Sequence, residues 1–208
     1  MERVFNHEIM SEIQSRWSPR AFSTKPVAAS ELQALLEAAR YAPSCSNEQP
    51  WRFLITDSED KLARLRGVLD ESNQVWANKA PVLILVTSKK QFTKTGKDNH
   101  WQMFDSGTAW GYLSLEAERR GMITHAMGGF DREKARREFS IPDDLEIITV
   151  IAVGYYGQKA NSAHSTSSAN NRRPAKRLMR SFYSRILRLT CHSGSMNLFG
   201  FQPLIDTK

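Results

Sequence analysis

Arginine and hydroxyl side chains alternate in a short polar segment near the start of the chain. Arg16, Ser18 and Arg20 are separated by single residues, so in an extended backbone their side chains lie on one side. Two guanidinium groups and a hydroxyl suit a phosphate and a neighbouring polyol, because each guanidinium donates paired hydrogen bonds to phosphate oxygens. A solvated surface loop would show the same residues, so the segment alone leaves both interpretations open.

Two further segments carry groups suited to a planar ligand with polar edges. Asn47 and Gln49 can each donate and accept hydrogen bonds, as a ring edge of mixed polarity requires. Gly128 and Gly129 lack side chains and allow backbone N–H groups to approach a ring closely. Together with the arginine segment, they indicate a site for a phosphorylated, planar ligand.

Several common catalytic motifs are absent from the sequence. There is no G-x-G-x-x-G, G-x-x-x-x-G-K-[ST], H-E-x-x-H or G-x-S-x-G. The histidines show no ligand spacing, and we expect them at the surface: His7, His100, His125, His164 and His192. Cys45 and Cys191 form neither a metal site nor a disulfide framework, which is typical of a reduced cytoplasmic protein. Redox chemistry in this chain would therefore depend on a bound organic cofactor.

Composition and charge limit the remaining classes of protein. The chain has 208 residues, 40% apolar and 25% charged, as in an ordinary globular domain. Its net charge of +7 resides in residues 172–208, which hold eight Lys and Arg against one Asp. Such a tail, which includes the basic pair Arg172-Arg173, suits nucleic acid, an acidic membrane or a single phosphate.

Residue periodicity predicts helices and strands that alternate without the strict rhythm of a doubly wound sheet, which favours an α+β fold. The expected helices cover residues 5–13, 61–69, 99–120, 131–139 and 178–189, and a capping box at residues 30–33 opens another. The expected strands cover residues 51–56, 82–87 and 146–155. We expect loops at residues 126–130 and 160–171, with Gly121 as a helix stop.

The order of several motifs closely resembles that of the nitroreductase family over residues 8–180. The opening part is R-x-S-x-R-x-F from Arg16, followed by L-L-E-A-A-R-Y-A-P-S and N-x-Q-P-W. The later part is A-P-V from Ala80, D-x-G-x-A from Asp105, G-G-F-D from Gly128 and R-R-P from Arg172. The block from Ala42 to Trp51 is the most specific.

This resemblance implies a homodimer with a central, mostly antiparallel sheet, intertwined subunits and FMN bound at the interface. Residues 1–180 would form the FMN-binding domain, and residues 181–208 the end of a basic helix and a tail. The resemblance assigns the cofactor contacts as follows: Arg16, Trp17, Ser18, Arg20, Arg172 and Arg173 at the phosphate and ribityl chain, and Pro43, Ser44, Asn47, Gln49, Asn73, Gly128 and Gly129 at the ring.

The family's chemistry implies that NAD(P)H reduces the flavin at N5, after which a nitroaromatic, quinone or related conjugated acceptor is reduced on the same face. No side chain is required as an acid or base. One alternative is a narrower enzyme of the family, such as a dehalogenase, an enone reductase or a flavin-degrading enzyme. The other is a non-catalytic flavin sensor whose basic tail binds nucleic acid. Apolar residues interleaved in residues 178–189 favour packing onto a partner subunit over nucleic acid, and no stretch is long enough to span a membrane.

Three positions depart from the family pattern. Asn170 stands where many members have a lysine near the phosphate, which would weaken that contact. Gly128 replaces an acidic residue found in one branch, so the handling of nicotinamide differs from that branch. Residues 190–208 match no known segment of the family.

Overall fold

The computed structural model describes residues 5–157, all of which lie in one compact unit of the chain. The helices are α1 Ser11–Ser15, α2 Ala29–Arg40, α3 Glu59–Arg66, α4 Glu71–Ala77, α5 Gln102–Arg119 and α6 Arg132–Glu138. The strands are β1 Trp51–Ile55, β2 Val82–Lys89, β3 Ile123–Met127 and β4 Leu145–Gly154. Among these residues, no helix combines the length and apolar character needed to cross a bilayer.

The four strands form one antiparallel sheet in the order β1-β2-β4-β3. Strand β2 is buried along nearly its whole length, because helices cover both faces of the sheet. Its alternate residues divide between two cores. Leu83 and Leu85 pack in the core that includes residues of α3, α4 and α6, and Ile84 and Val86 pack in the core that includes α2 and α5. The predicted α+β fold with a mostly antiparallel sheet is confirmed.

Most of the predicted elements are present with slightly shifted ends. Strands β1, β2 and β4 and helices α3, α5 and α6 lie where periodicity placed them. Gly121 follows α5 with a left-handed φ of 69°, which confirms it as the helix stop.

Two predictions about helix starts were wrong. Residues 5–10 are not helical and α1 covers only Ser11–Ser15. Phe5 and Ile9 are each 39% exposed, so these side chains are only partly packed and stabilise a longer helix little. The capping box at residues 30–33 does not form, because α2 starts at Ala29 with Ala28 as its N-cap and no side-chain cap bond. The Leu32 N–H already donates to the Ala28 carbonyl, 3.1 Å away, which places Ser30 inside the helix.

Two short elements were not predicted. Helix α4 has seven residues with Val75 exposed, too few for a clear apolar period. Strand β3 includes part of the predicted 126–130 loop, and polar Thr124 and His125 obscure its apolar pattern. The predictions for the 160–171 connector, the 178–189 helix, the domain boundary at residue 180, Cys191 and the tail fall outside the described residues.

Candidate functional site

The segment that contains Arg16, Ser18 and Arg20 is an extended loop between α1 and the sheet. Arg16 is the C-cap of α1, with an extended backbone at φ −60° and ψ 132°. Pro19 is buried while Ser18 and Arg20 are exposed, so the predicted alternation of side chains is present at these positions. The Ser23 N–H donates to the Tyr155 carbonyl over 2.9 Å, and this contact holds the end of the loop against the sheet.

Aromatic rings from α4 and β3 support this loop. The guanidinium carbon of Arg20 lies 5.6 Å from the centre of the Trp76 ring, within the range of a cation–π contact. The ring of His125 lies 4.5 Å from that of Trp76. His125 Nδ1 is 3.0 Å from the Pro19 carbonyl oxygen. Because a carbonyl only accepts, Nδ1 carries the hydrogen and donates it. Trp17, in the same loop, has its ring centre 6.2 Å from that of Tyr156.

Positive charge surrounds His125. Burial is the main cause that lowers the pKa of His125 below its ordinary value, and the charges of Arg20 and Arg16 lower it further. Both arginines therefore contribute positive potential at this ring. The expectation that His125 lies at the surface was wrong, because the ring packs between the loop and Trp76.

The two predicted glycines have different surroundings. A Cβ on Gly129 would lie 2.6 Å from Asp70 Oδ2 and 2.8 Å from Asn73 Nδ2, so a larger residue there would have to displace the ends of these two side chains. Asn73 Nδ2 also donates to the Gly129 carbonyl over 2.9 Å. A Cβ on Gly128 would meet nothing within 4 Å, so the backbone at Gly128 borders open space.

Helix α4 brings these features together. Asn73 and Trp76 are three residues apart on α4 and therefore lie on the same face of the helix. That face contacts Arg20 through Trp76 and Gly129 through Asn73. The structure thus brings one phosphate-site candidate and the glycine pair to one helix. Trp76 and His125 were missed in the sequence. Trp76 follows the candidate Asn73 at helical spacing, but no sequence signal pointed to His125.

The remaining candidates lie in a strained turn after α2. Cys45–Asn47 forms a 3-10 turn, and the φ angles of Ser46, Asn47 and Gln49 are 54°, 53° and 50°. Left-handed backbone costs about 1–2 kcal/mol for most residues. The Gln49 N–H donates to Ser44 Oγ over 3.0 Å, and Gln49 Nε2 donates to Asn47 Oδ1 over 2.9 Å. These bonds offset part of the strain.

Two carboxylates fix this turn to the rest of the subunit. Asp105 Oδ2 accepts from the Cys45 N–H at 3.1 Å. Glu48 Oε1 accepts from the Thr93 N–H at 2.8 Å and from its hydroxyl at 2.5 Å, and the hydroxyl contact is the largest cause that lowers the pKa of Glu48. A pocket of about 440 Å³ opens beside the turn, lined by Arg40, Tyr41, Ala42, Pro43, Asn47 and Gln49.

The candidates that the structure describes therefore occupy two places. Residues 43–49 are anchored to Asp105 and Thr93. The other candidates lie around α4, where Arg20 contacts Trp76 and Asn73 donates to Gly129. The loop that carries Arg20 also contacts His125, through the carbonyl of Pro19. Asn170, Arg172 and Arg173 fall outside the described residues.

The groups around α4 fit the parts of FMN. Arg20 contacts α4 through Trp76, and its loop also carries Arg16 and Ser18, residue types that suit a phosphate and a ribityl chain. The open backbone at Gly128 leaves room for a ring edge. The buried Nε1 of Trp76 has no acceptor among residues 5–157. A buried N–H without an acceptor is costly, and a polar ligand at this face would supply one.

Comparisons with known proteins give one consistent family. The model of the nitroreductase family matches residues 13–75 and 67–155. A solved oxidoreductase described as containing FMN is 35% identical, with a TM-score of 0.70 over 74% of this chain and 80% of its own. A protein of Archaeoglobus fulgidus, provisionally named an NADH dehydrogenase/NAD(P)H nitroreductase, is 29% identical over 71% of this chain and 85% of its own. An iodotyrosine deiodinase of Thermotoga neapolitana is 27% identical over 68% and 85%. Because the family model covers well over half of the sequence, the chain belongs to the nitroreductase family.

Proposed function

We propose that this protein is a cytoplasmic, homodimeric, FMN-dependent oxidoreductase. It uses NAD(P)H to reduce nitroaromatics, quinones or related conjugated acceptors by two-stage hydride transfer. Its family and its relatives support an oxidoreductase, since the relatives include an FMN-containing oxidoreductase and an NAD(P)H nitroreductase.

The observation that carries this proposal is the cluster on α4. Arg20 lies over Trp76 and Asn73 bonds to Gly129 on one helix face, so donors for a phosphate and for a ring edge lie side by side. Arg16, Trp17, Ser18 and Arg20 would hold the phosphate and ribityl chain, with Arg172 and Arg173 completing the phosphate site.

The chain's own residues bind and orient, and the cofactor carries the redox change. When bound, FMN accepts hydride from NAD(P)H and donates it to the acceptor. Asn47, Gln49 and Asn73 would donate to the polar ring edge, with the Gly128 and Gly129 backbone beside it. Preorganised donors of this kind stabilise the negative charge of a reduced ring, because they need no reorganisation when that charge develops.

A second subunit explains why the candidates occupy two places. Pro43, Ser44 and Asn47 of one subunit would face the ring bound along α4 of the other. Helix α5 offers a surface for this association, since Met103, Phe104 and Tyr112 are 53%, 72% and 43% exposed. Exposed apolar side chains on one helix favour burial against a partner.

A narrower reaction of the same family is the second candidate. The similarity to an iodotyrosine deiodinase supports a dehalogenase, in which the acceptor would be a halogenated aromatic ring. The proposal for reduction of nitroaromatics and quinones predicts that halogenated phenols support slower NAD(P)H oxidation than quinones at equal concentration.

Two measurements on the purified full chain test the proposed function. Flavin released by heat should co-elute with FMN rather than FAD, because the arginine loop offers a phosphate site and the sequence has no dinucleotide fingerprint. The holoprotein should oxidise NAD(P)H when a quinone is added. FAD as the main released flavin would contradict the proposal. A protein that binds FMN but oxidises no NAD(P)H with any acceptor would also contradict it and would favour the flavin sensor.

A further inference from the structure

A buried carboxylate on α5 lies behind the strained turn of residues 44–49. Asp105 is only 3% exposed, and its Oδ2 accepts from the Cys45 N–H at 3.1 Å. The two residues are 60 positions apart in the chain, so this bond fixes the turn to an element distant in sequence. We infer that Asp105 is a positioning residue that holds Pro43, Ser44 and Asn47 in the shape that contacts a flavin ring. This inference rests on the proposed function of the same site.

The turn needs an external anchor because its backbone is strained. Ser46 and Asn47, directly after Cys45, both have a left-handed φ, and so does Gln49. Such angles persist in residues other than glycine only when surrounding contacts determine them. A hydrogen bond to a carboxylate is stronger than one to a neutral acceptor, so the Cys45–Asp105 bond opposes relaxation of the turn.

The carboxylate is better explained by geometry than by overall stability. A buried charge often stabilises a fold no more than an apolar side chain of similar volume. Asp105 lies in the first turn of α5, where the helix dipole favours a negative charge. The helix thus supports a fixed acceptor that points at one backbone N–H of the turn.

A second anchor limits what the loss of Asp105 would change. Glu48 accepts from Thr93, and the Lys89 N–H donates to the Pro50 carbonyl over 2.9 Å. These contacts hold the C-terminal half of the turn in place without Asp105. Loss of the Asp105 carboxylate would therefore loosen the half of the turn that carries Ser44 and Asn47, which would still be bonded to Gln49. The Arg16–Arg20 loop rests on Trp76 and His125 and would keep its shape.

This separation predicts a specific pattern of flavin affinities. A loosened turn weakens contacts to the ring, which FMN and riboflavin share. It leaves contacts to the phosphate, which only FMN has. Asp105→Ala should therefore weaken both ligands by the same factor, about tenfold to a hundredfold, and leave their affinity ratio unchanged.

The experiment compares full-length wild-type protein with Asp105→Ala, Asp105→Asn and the exposed control Asp144→Ala. Flavin fluorescence titrations of each apoprotein give the affinities for FMN and riboflavin. Amide hydrogen exchange of the apoprotein, followed by NMR, reports the Cys45 N–H directly, with the Ile84 amide of β2 as an internal reference. Asparagine keeps an acceptor oxygen, so Asp105→Asn should bind both flavins within roughly threefold of wild type.

In Asp105→Ala, we expect faster exchange of the Cys45 amide and an equal loss of affinity for FMN and riboflavin. The Ile84 amide should exchange at its wild-type rate, and Asp144→Ala should bind both flavins as wild type does. Faster exchange with wild-type flavin affinity would overturn the inference, because the bond would then be structural only. A changed FMN-to-riboflavin ratio would overturn it too. If Asp105→Ala does not fold, the Asp105→Asn variant provides the test. Tenfold weaker flavin binding by Asp105→Asn, with the Cys45 amide still protected from hydrogen exchange, would contradict the inference. The exchange needs no flavin, so failure of the proposed function would appear separately, as wild-type protein that binds neither ligand.

Discussion

The imidazole of His125 lies 4.5 Å from the indole of Trp76, measured between ring centres. This contact joins β3 to α4, and the bond from His125 Nδ1 to the Pro19 carbonyl adds the arginine loop. Three segments distant in sequence therefore meet at one pair of rings, beside the proposed phosphate site.

Protonation of His125 should destabilise the protein. Burial and nearby arginines place its pKa in the folded state below the ordinary value of 6.5. Between those two values the unfolded chain binds a proton that the folded protein does not, so stability falls as the pH drops through this window. Urea unfolding of wild type and His125→Asn from about pH 8 to about pH 5 measures the effect. Wild type should lose more stability over this range than the variant, and parallel curves would contradict this assignment.

Glu116 should give a separate pH dependence at lower pH. Its hydrogen bond to Arg119 is the main cause that lowers its pKa from 4.5 to about 2, with Arg120 adding to it. The stability from these ion pairs is present above pH 4.5 and is lost as the pH falls towards 2.

Substitution of this residue tests the ion pairs directly. Because the Arg119 side chain is 56% exposed, Glu116→Gln should cost only about 1 kcal/mol at neutral pH. That difference from wild type should shrink below pH 4 or so and disappear near the folded pKa. Glu118→Gln, on the same helix and without an ion pair to a described residue, is the control. A difference in stability between wild type and Glu116→Gln that stays the same as the pH falls would refute the role of these ion pairs.

Two glycines of α5 distinguish a monomer from the proposed dimer. A Cβ on Gly107 or Gly111 would meet nothing within 4 Å in one subunit, so alanine in a monomer should stabilise the helix by about 0.5–1 kcal/mol. If a partner helix approaches there, alanine weakens the dimer instead. We predict the second result for Gly107→Ala, seen as a lower melting temperature and weaker association in sedimentation equilibrium.

The matched control lies at the end of the same helix. Gly121 has a φ of 69°, so Gly121→Ala should cost about 1–2 kcal/mol with no change in association. Stabilisation by Gly107→Ala at every protein concentration would argue against a partner at this face of α5.

Sequence patterns predicted the long elements well because those elements bury a regular stripe. The first five residues of β2, Val82 to Val86, are all apolar and buried, and α5 is followed by a glycine that adopts the left-handed backbone. Short elements such as α4 and β3 depend on tertiary packing, which leaves little periodic signal in seven or five residues.

The site was predictable in residue type but not in arrangement. The spacing of Arg16, Ser18 and Arg20 indicated an extended loop, and the structure has an extended loop there; that this loop binds phosphate stays a prediction. The spacing could not reveal that His125 and Trp76 support it, since those contacts depend on how β3 and α4 pack. Gly129, a glycine predicted to face a ligand, also lies against the side chains of Asp70 and Asn73, which the sequence pattern did not indicate.

The loop around Arg16 is expected to bind the phosphate of FMN. A guanidinium that pairs with a phosphate contributes roughly 1.5–3 kcal/mol, on the order of tenfold to a hundredfold in affinity. Arg16→Ala should therefore weaken FMN binding by that factor and leave riboflavin binding nearly unchanged. Arg172→Ala, from the segment outside the described residues, should behave in the same way, and Arg137→Ala on α6 is the control.

Fluorescence titration of the apoproteins with FMN and riboflavin measures this directly. We predict that wild type prefers FMN strongly, and that most of this preference is lost in Arg16→Ala and Arg172→Ala but kept in Arg137→Ala. A preference for FMN that survives both substitutions would show that the phosphate binds elsewhere and that Arg16 and Arg172 do not form its site.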